Sequence, residues 1–170
     1  LAFLPSIVDD HTRKTHLGHG YTLHTTLMRP KSRGSVTLQS ADPHQPPAID
    51  PGFYTHPDDM AVAIKGARMG FEILEAKAMA AYRGKRLHAV DVNDDKAMEA
   101  FLRATCDTEY HPVGTCKMGP DSDPMAVVDA QLRVKGVQGL RVVDASIMPA
   151  LTSGNTNAPS MVIGEKAADL

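Results

Sequence analysis

Three observations in the sequence predict an α+β fold, an antiparallel sheet packed by helices. Residues 21–28, YTLHTTLM, alternate: Tyr21, Leu23, Thr25 and Leu27 share one face, and Thr22, His24, Thr26 and Met28 the other. That is the period of a half-buried strand. Met60, Ile64, Ala67, Phe71, Leu74 and Ala78 recur at steps of three and four, an apolar stripe along one helix. Met98, then Phe101 or Leu102, then Thr105 make a second, shorter stripe.

The elements follow in order. Residues 1–10 are apolar and then acidic, interrupted by Pro5, and read as the end of an element. RPKSRG at 29–34 reads as a turn, and 35–40 alternate again with Val36 and Leu38 on one face. The expectation is that 21–28 and 35–40 pair as antiparallel strands. Residues 41–57 hold Pro43, Pro46, Pro47, Pro51 and Pro57, which forbid a central strand and predict a loop. Asp58 and Asp59 open the first long helix, where carboxylates suit the positive end of the dipole. Residues 82–92 read as irregular, and Asn93 or Asp94 caps the second helix. GPDSDP at 119–124 is a turn. Short extended runs follow at 127–129, 132–134 and 140–144, with the glycines of KGVQG supplying a tight connection. TSGNTNAP at 152–159 is a polar loop. Pro159 suits the first turn of a last helix over 160–170, with Ile163 or Gly164 and Ala167 or Ala168 packing inward.

Composition narrows the functions. A hydrophobic content of 42% with 22% charged residues describes a globular chain, not a disordered one. A net charge of -2 argues against a nucleic-acid partner, which needs a basic face. No window reaches the apolar length of a membrane span. The first residue is Leu1, no signal-peptide pattern follows, and residues 164–170 run off a helical pattern. Both ends therefore read as cuts in a longer protein, placed in the cytoplasm or peripherally at the inner membrane. Cys106 and Cys116 form no C-x-x-C pair and read as reduced, buried thiols. His11, His16, His19 and His24 match no common metal spacing, so no metal is expected.

Two stretches carry residue types suited to chemistry. In YHPVGTCKMG, Pro112 pushes the backbone of His111 toward an extended form, and Gly114 permits a tight turn below it. Imidazole is the usual general base, yet on this stretch alone a lone histidine is better read as a group that satisfies a loop. In SGNTNAP, Asn155 and Asn157 lie just ahead of a helix N-terminus, whose unpaired N–H groups favour an anion. Capping by Asn157 is the plainer reading of that loop.

Taken in order, HPVGTCKMG, VVDAQLRVKGVQGLRVVDASIMP and SGNTNAPSMVIGEKAADL resemble the C-terminal part of the glucose-methanol-choline (GMC) oxidoreductases. These are FAD-dependent alcohol dehydrogenases and oxidases. The similarity runs from the GYTLHTTLMRPKSRGSVTL stretch to the last helix. It implies one C-terminal substrate-binding domain over 1–170, with 126–170 on the flavin side. It implies that His111 faces the flavin near N5 and accepts the alcohol proton while hydride passes to N5. Asn155 is the second polar residue of the pair, donating a hydrogen bond to the forming alkoxide. Asp144 and Ala145 match a pair that lies along the cofactor, and Asn157 and Ala158 match positions beside the pyrimidine edge. The last helix would set its positive end near the charge of the reduced flavin.

The activity so implied is oxidation of a primary alcohol to an aldehyde, with a small-molecule alcohol as partner. Choline dehydrogenase and oxygen-using alcohol oxidase are the alternatives within the family. The alternatives of a different class are a hydroxynitrile lyase-like activity, which the family also includes and which does no net redox chemistry, and a non-catalytic binding module. Choline-specific members carry Ser-Cys-Ser where this chain has Val113-Gly114-Thr115, and Ala-Thr-Thr where it has Ala158-Pro159-Ser160. Without Trp, little of an aromatic cage for a quaternary ammonium is visible. The polar face of 21–28 is assigned to the substrate side. Gly18-His19-Gly20 lacks the third glycine of a dinucleotide motif, so the ADP half of FAD must be bound elsewhere. The expectation is that this piece alone binds no flavin and has no activity, and that surface meant for the missing part is partly apolar, which self-association could cover.

Overall fold

The stripe that begins at Met60 becomes α1, Pro57–Glu75, in the computed structural model, which describes residues 1–170. His56 caps it: its Nδ1 accepts the Asp58 N–H at 3.2 Å. Pro57 fills the first turn, where its missing N–H costs nothing. Met60, Ala63, Ala67 and Gly70 are the buried apolar face. The helix stops at Glu75 because Ala76 swings to ψ 148°. Ala78, expected on the stripe, therefore falls in a separate 3-10 turn, Lys77–Met79. Asp94 is the residue that caps α2, Asp95–Thr105, its Oδ1 accepting the Lys96 N–H at 2.8 Å. Met98, fully buried, and Leu102 pack with Met60, Ala63 and Ala67.

These helices belong to the first of two compact units, residues 1–27 with 53–109; the second is 28–52 with 110–170. Each carries its own two-stranded antiparallel ribbon, so both helices and antiparallel pairs are present, as an α+β fold requires.

The strand pairing corrects the expected hairpin. β1, Ala2–Leu4, pairs with β2, Thr22–His24, in the register Ala2↔His24, Phe3↔Leu23, Leu4↔Thr22. Two contacts divert β2 from the later strand. The Thr22 hydroxyl accepts the Val8 N–H and donates to the Ser6 carbonyl, both at 2.9 Å, binding it to the N-terminal segment. Beyond β2, the chain lies close over α1 at Gly66 and Gly70. A Cβ on Gly70 would stand 3.1 Å from Leu23 Cδ2 and 3.4 Å from Thr25 Cγ2. Each mid-helix glycine costs about 0.5–1 kcal/mol against alanine, and the close approach of β2 to α1 is what it permits.

In the second unit, β3, Ser35–Thr37, pairs with β4, Ala48–Asp50, Val36 facing Ile49 across the ladder. β4 lies inside the stretch expected to be loop. Pro47 and Pro51 bracket it, holding it to three residues without forbidding it, since a two-stranded ribbon consists only of edges. The extended runs at 127–129, 132–134 and 140–144 form no ladder. Isolated bridges hold them instead: Met118↔Val128, Val128↔Val134 and Arg133↔Arg141. Val128, Leu132 and Ile147 are the buried centre, and Ile163 and Ala167 of α3, Asn157–Ala167, pack on it. α3 thus starts three residues before the expected 160. No helix is long and apolar enough to cross a membrane.

A carboxylate missed by pattern reading ties down the first unit. Asp9 is buried, with Oδ2 2.7 Å from His16 Nε2 and Oδ1 3.0 Å from His88 Nε2. No three His, Cys, Asp or Glu side chains are arranged to hold a metal ion. The hydrogen bond from His16 holds the Asp9 carboxyl below the ordinary carboxylate range; burial opposes this, and His88 adds to the lowering. A depressed carboxyl stabilises the fold fully above its unfolded value of about 3.9 and loses that contribution as pH falls through the folded one. Urea unfolding at a series of pH values is therefore expected to show Asp9→Asn less stable than the parent at pH 5. The gap should narrow as pH drops below about 4; a gap constant down to pH 2 contradicts this assignment.

Candidate active site

Three stretches of the second unit converge around His111. Tyr110 has φ 60°, a left-handed conformation uncommon for a non-glycine residue. Pro112 keeps His111 out of helical conformation. Gly114 then takes φ +90°, which a side chain resists, and a Cβ there would meet the Met148 carbonyl at 3.4 Å. Past that turn the backbone is pinned: Cys116 N–H donates to Ser146 O at 3.0 Å, and Met118 N–H to Ile147 O at 2.8 Å. The segment that carries His111 is thus hydrogen-bonded along the 3-10 turn Ala145–Ile147.

The imidazole is half-buried, and its Nδ1 lies 3.0 Å from Thr156 Oγ1. The Thr156 N–H also points to Nδ1, at 3.4 Å. Thr156 is buried, 7% exposed, and occupies the N-cap of α3. A threonine at this position ordinarily caps with its hydroxyl, worth about 1 kcal/mol; here it makes no capping bond. Its carbonyl accepts both the Ser160 N–H at 3.0 Å and the Ser160 hydroxyl at 2.7 Å, so the first turn is fixed around it. Upstream, Ser153 sits at φ 69° and its hydroxyl accepts from Arg29 Nε.

The structure brings His111 to the 152–159 loop, forty-five residues later, through Thr156, the residue after Asn155. Asn155, Asn157 and Ala158 are exposed beside that contact. Asn157 does not cap α3: it is the first helical residue, and Thr156 holds the cap position. Asp144 is exposed and Ala145 half-buried; the Asp144 carboxylate accepts the Ser146 N–H at 2.7 Å and caps the 145–147 turn. On the 21–28 face, Thr22 is consumed by its bonds to residues 6 and 8, and His24 Nδ1 lies 3.8 Å from Glu109. Sequence reasoning missed Thr156. The available signal was a threonine directly before a helix start, which reads as an ordinary cap.

An open apolar hollow of about 590 Å³ adjoins the start of α3, lined among others by Met118, Ile147, Met148, Ala158, Pro159 and Ile163. A second hollow, about 420 Å³ among Asp129 and residues 133–141, contains none of the candidate residues. Both cysteines are free and half-buried, and burial pushes the Cys106 thiol up.

With this geometry in view, comparison with known proteins defines the class. The GMC oxidoreductase family model matches residues 30–164, and the chain belongs to that family. It is 46% identical over 169 residues to an alcohol dehydrogenase [acceptor] of Pseudomonas putida, covering 99% of this chain and 30% of that protein. It is 48% identical over 169 residues to the mitochondrial choline dehydrogenase of Mus musculus, covering 99% and 28%. Among solved structures it is similar to Aspergillus oryzae formate oxidase, in a variant studied for its effect on FAD modification. That match has a TM-score of 0.83 and 30% identity, over 95% of this chain and 28% of the other. The chain thus spans about 30% of the length of the curated relatives it matches.

The turn under His111 can be tested apart from catalysis. Gly114→Ala is expected to cost about 1–2 kcal/mol, because alanine must adopt a left-handed φ. Gly164→Ala, on the exposed face of α3 with nothing within 4 Å of an added Cβ, is expected to gain about 0.5–1 kcal/mol. Urea unfolding of the two variants should move in opposite directions; a stabilising Gly114→Ala contradicts the strained turn.

Proposed function

We propose that the chain is the substrate-side C-terminal domain of an FAD-dependent alcohol dehydrogenase, which oxidises a primary alcohol to the aldehyde. The observation that carries this reading is the imidazole of His111, held by Thr156 at 3.0 Å beside the exposed Asn155 and Asn157, in a chain of the GMC family. Residues 126–170 form the flavin side of the domain in this reading. The apolar hollow next to Ala158 and Pro159 suits a flat aromatic ring system. The first-turn N–H groups of α3 suit negative charge at its edge. Asp144, Ala145, Asn157 and Ala158 would line the cofactor; FAD, when bound, supplies the acceptor for the hydride leaving the alcohol carbon.

The residues of this chain then do the following. His111 takes the hydroxyl proton through Nε2, the ring nitrogen that Thr156 does not hold. Asn155 donates an amide hydrogen bond to the same oxygen as it becomes negative. Tyr110 and Gly114 fix where the imidazole stands, so little reorganisation accompanies proton transfer. A cytoplasmic or peripheral inner-membrane location accompanies this reading.

Choline is the second substrate reading, favoured by the 48% identity to the mouse choline dehydrogenase. The residues after His111 and after Asn157 point instead to a non-quaternary alcohol. The experiment uses the FAD-loaded full-length protein, of which this chain would be the C-terminal part. Stopped-flow bleaching with primary alcohols and with choline identifies the substrate, and a dye acceptor set against oxygen separates dehydrogenase from oxidase. His111→Ala is expected to slow flavin reduction by about 10²–10⁴-fold. Reduction at the parent rate would remove His111 as base.

A further inference from the structure

We infer that Thr156 is a positioning residue for His111: its hydroxyl holds Nδ1 and so reserves Nε2 for the substrate oxygen. The inference rests on the reading of His111 as the proton acceptor. Two groups of Thr156 address one ring nitrogen, the hydroxyl at 3.0 Å and the backbone N–H at 3.4 Å. They are not equivalent. A backbone N–H only donates, so alone it keeps Nδ1 unprotonated and leaves the proton of the neutral ring on Nε2. A ring in that form has no lone pair at Nε2 with which to take a proton. A hydroxyl both donates and accepts. By accepting from Nδ1–H it permits the tautomer whose Nε2 is bare, which the N–H alone would exclude. It keeps the same bond after Nε2 has been protonated, when both ring nitrogens carry hydrogen.

The geometry of the helix start supports the assignment independently. Thr156 stands at the N-cap with a side chain suited to capping, yet makes no capping bond and is turned to His111 instead. The hydroxyl is buried with its residue, and the Thr156 backbone is held by the two bonds from Ser160 to its carbonyl. Removing the hydroxyl therefore takes away no helix cap, and its effect should concentrate on the imidazole.

The test compares Thr156→Val, which keeps the branched shape without the hydroxyl, with Thr156→Ser, which keeps the hydroxyl, in the FAD-loaded full-length protein. Thr156→Val is expected to lower the limiting rate of flavin reduction by alcohol about tenfold or more, the range for losing a hydrogen bond to a charged group. The apparent substrate dissociation constant should change far less, and Thr156→Ser should restore most of the rate. A readout independent of activity is the ¹⁵N spectrum of histidine-labelled protein, with His111 assigned by its disappearance in His111→Ala. The neutral parent ring is expected to carry its proton on Nδ1, and the Thr156→Val ring on Nε2. A parent ring protonated on Nε2 overturns the inference without any variant that must fold. So does Thr156→Val reducing flavin at the parent rate while His111→Ala is impaired. If His111→Ala itself reduces flavin normally, the alcohol-oxidation reading fails first.

Discussion

The contact between His111 Nδ1 and Thr156, made by the threonine's hydroxyl and backbone N–H, joins two stretches forty-five residues apart and sets the geometry on which the candidate site depends. A bond of 3.0 Å survives only if both of its ends are stiff. On one side stiffness comes from the backbone: Tyr110 in left-handed conformation, Pro112, Gly114, and the bonds from Cys116 and Met118 to Ser146 and Ile147. On the other it comes from α3, whose first turn is tied through the Thr156 carbonyl and whose Ile163 and Ala167 pack on Val128, Leu132 and Ile147. The same 3-10 turn, Ala145–Ile147, therefore serves both ends. It supplies carbonyls to the His111 segment and Ile147 to the core under α3.

The helices of the first unit were legible because their signals are local. Met60 and Ala67 lie on a periodic stripe, and an aspartate stands where a cap belongs before α2. The C-terminal end of α1 is not legible in the same way, since Ala76 and Ala78 fit a helical pattern even where the backbone departs from it. Strand pairing was not legible. Alternation in 21–28 tells which side chains share a face, but says nothing of which strand lies alongside. The partner was chosen by the Thr22 hydroxyl and by the glycine face of α1. The bond between Asp9 and His88 spans seventy-nine residues, and no local pattern announces such a contact.

At the candidate site, two stretches singled out in the sequence meet through a contact that the sequence does not announce. His111 and the 155–158 loop stood out through their proline and glycine punctuation and through the family resemblance. Thr156 did not, because its residue type already had a sufficient explanation as a cap. In the fold its hydroxyl is turned to His111 instead. Asn157 departs from expectation for the complementary reason: its residue type suits a cap, but the helix starts one position too early for it to serve.

The ribbon of β3 and β4 leaves Val36 and Ile49 facing each other, 47% and 68% exposed, on a pair of strands with two open edges. Exposed apolar edges of this kind recruit further strands and seed fibrils. Pro47 and Pro51, without N–H groups, close β4 at both ends. Gly34 sits so tightly against the Asp50 carbonyl that a Cβ would approach it to 2.1 Å. A ribbon so short gives an incoming chain too few backbone groups to zip onto, and its prolines act as gatekeepers against runaway aggregation.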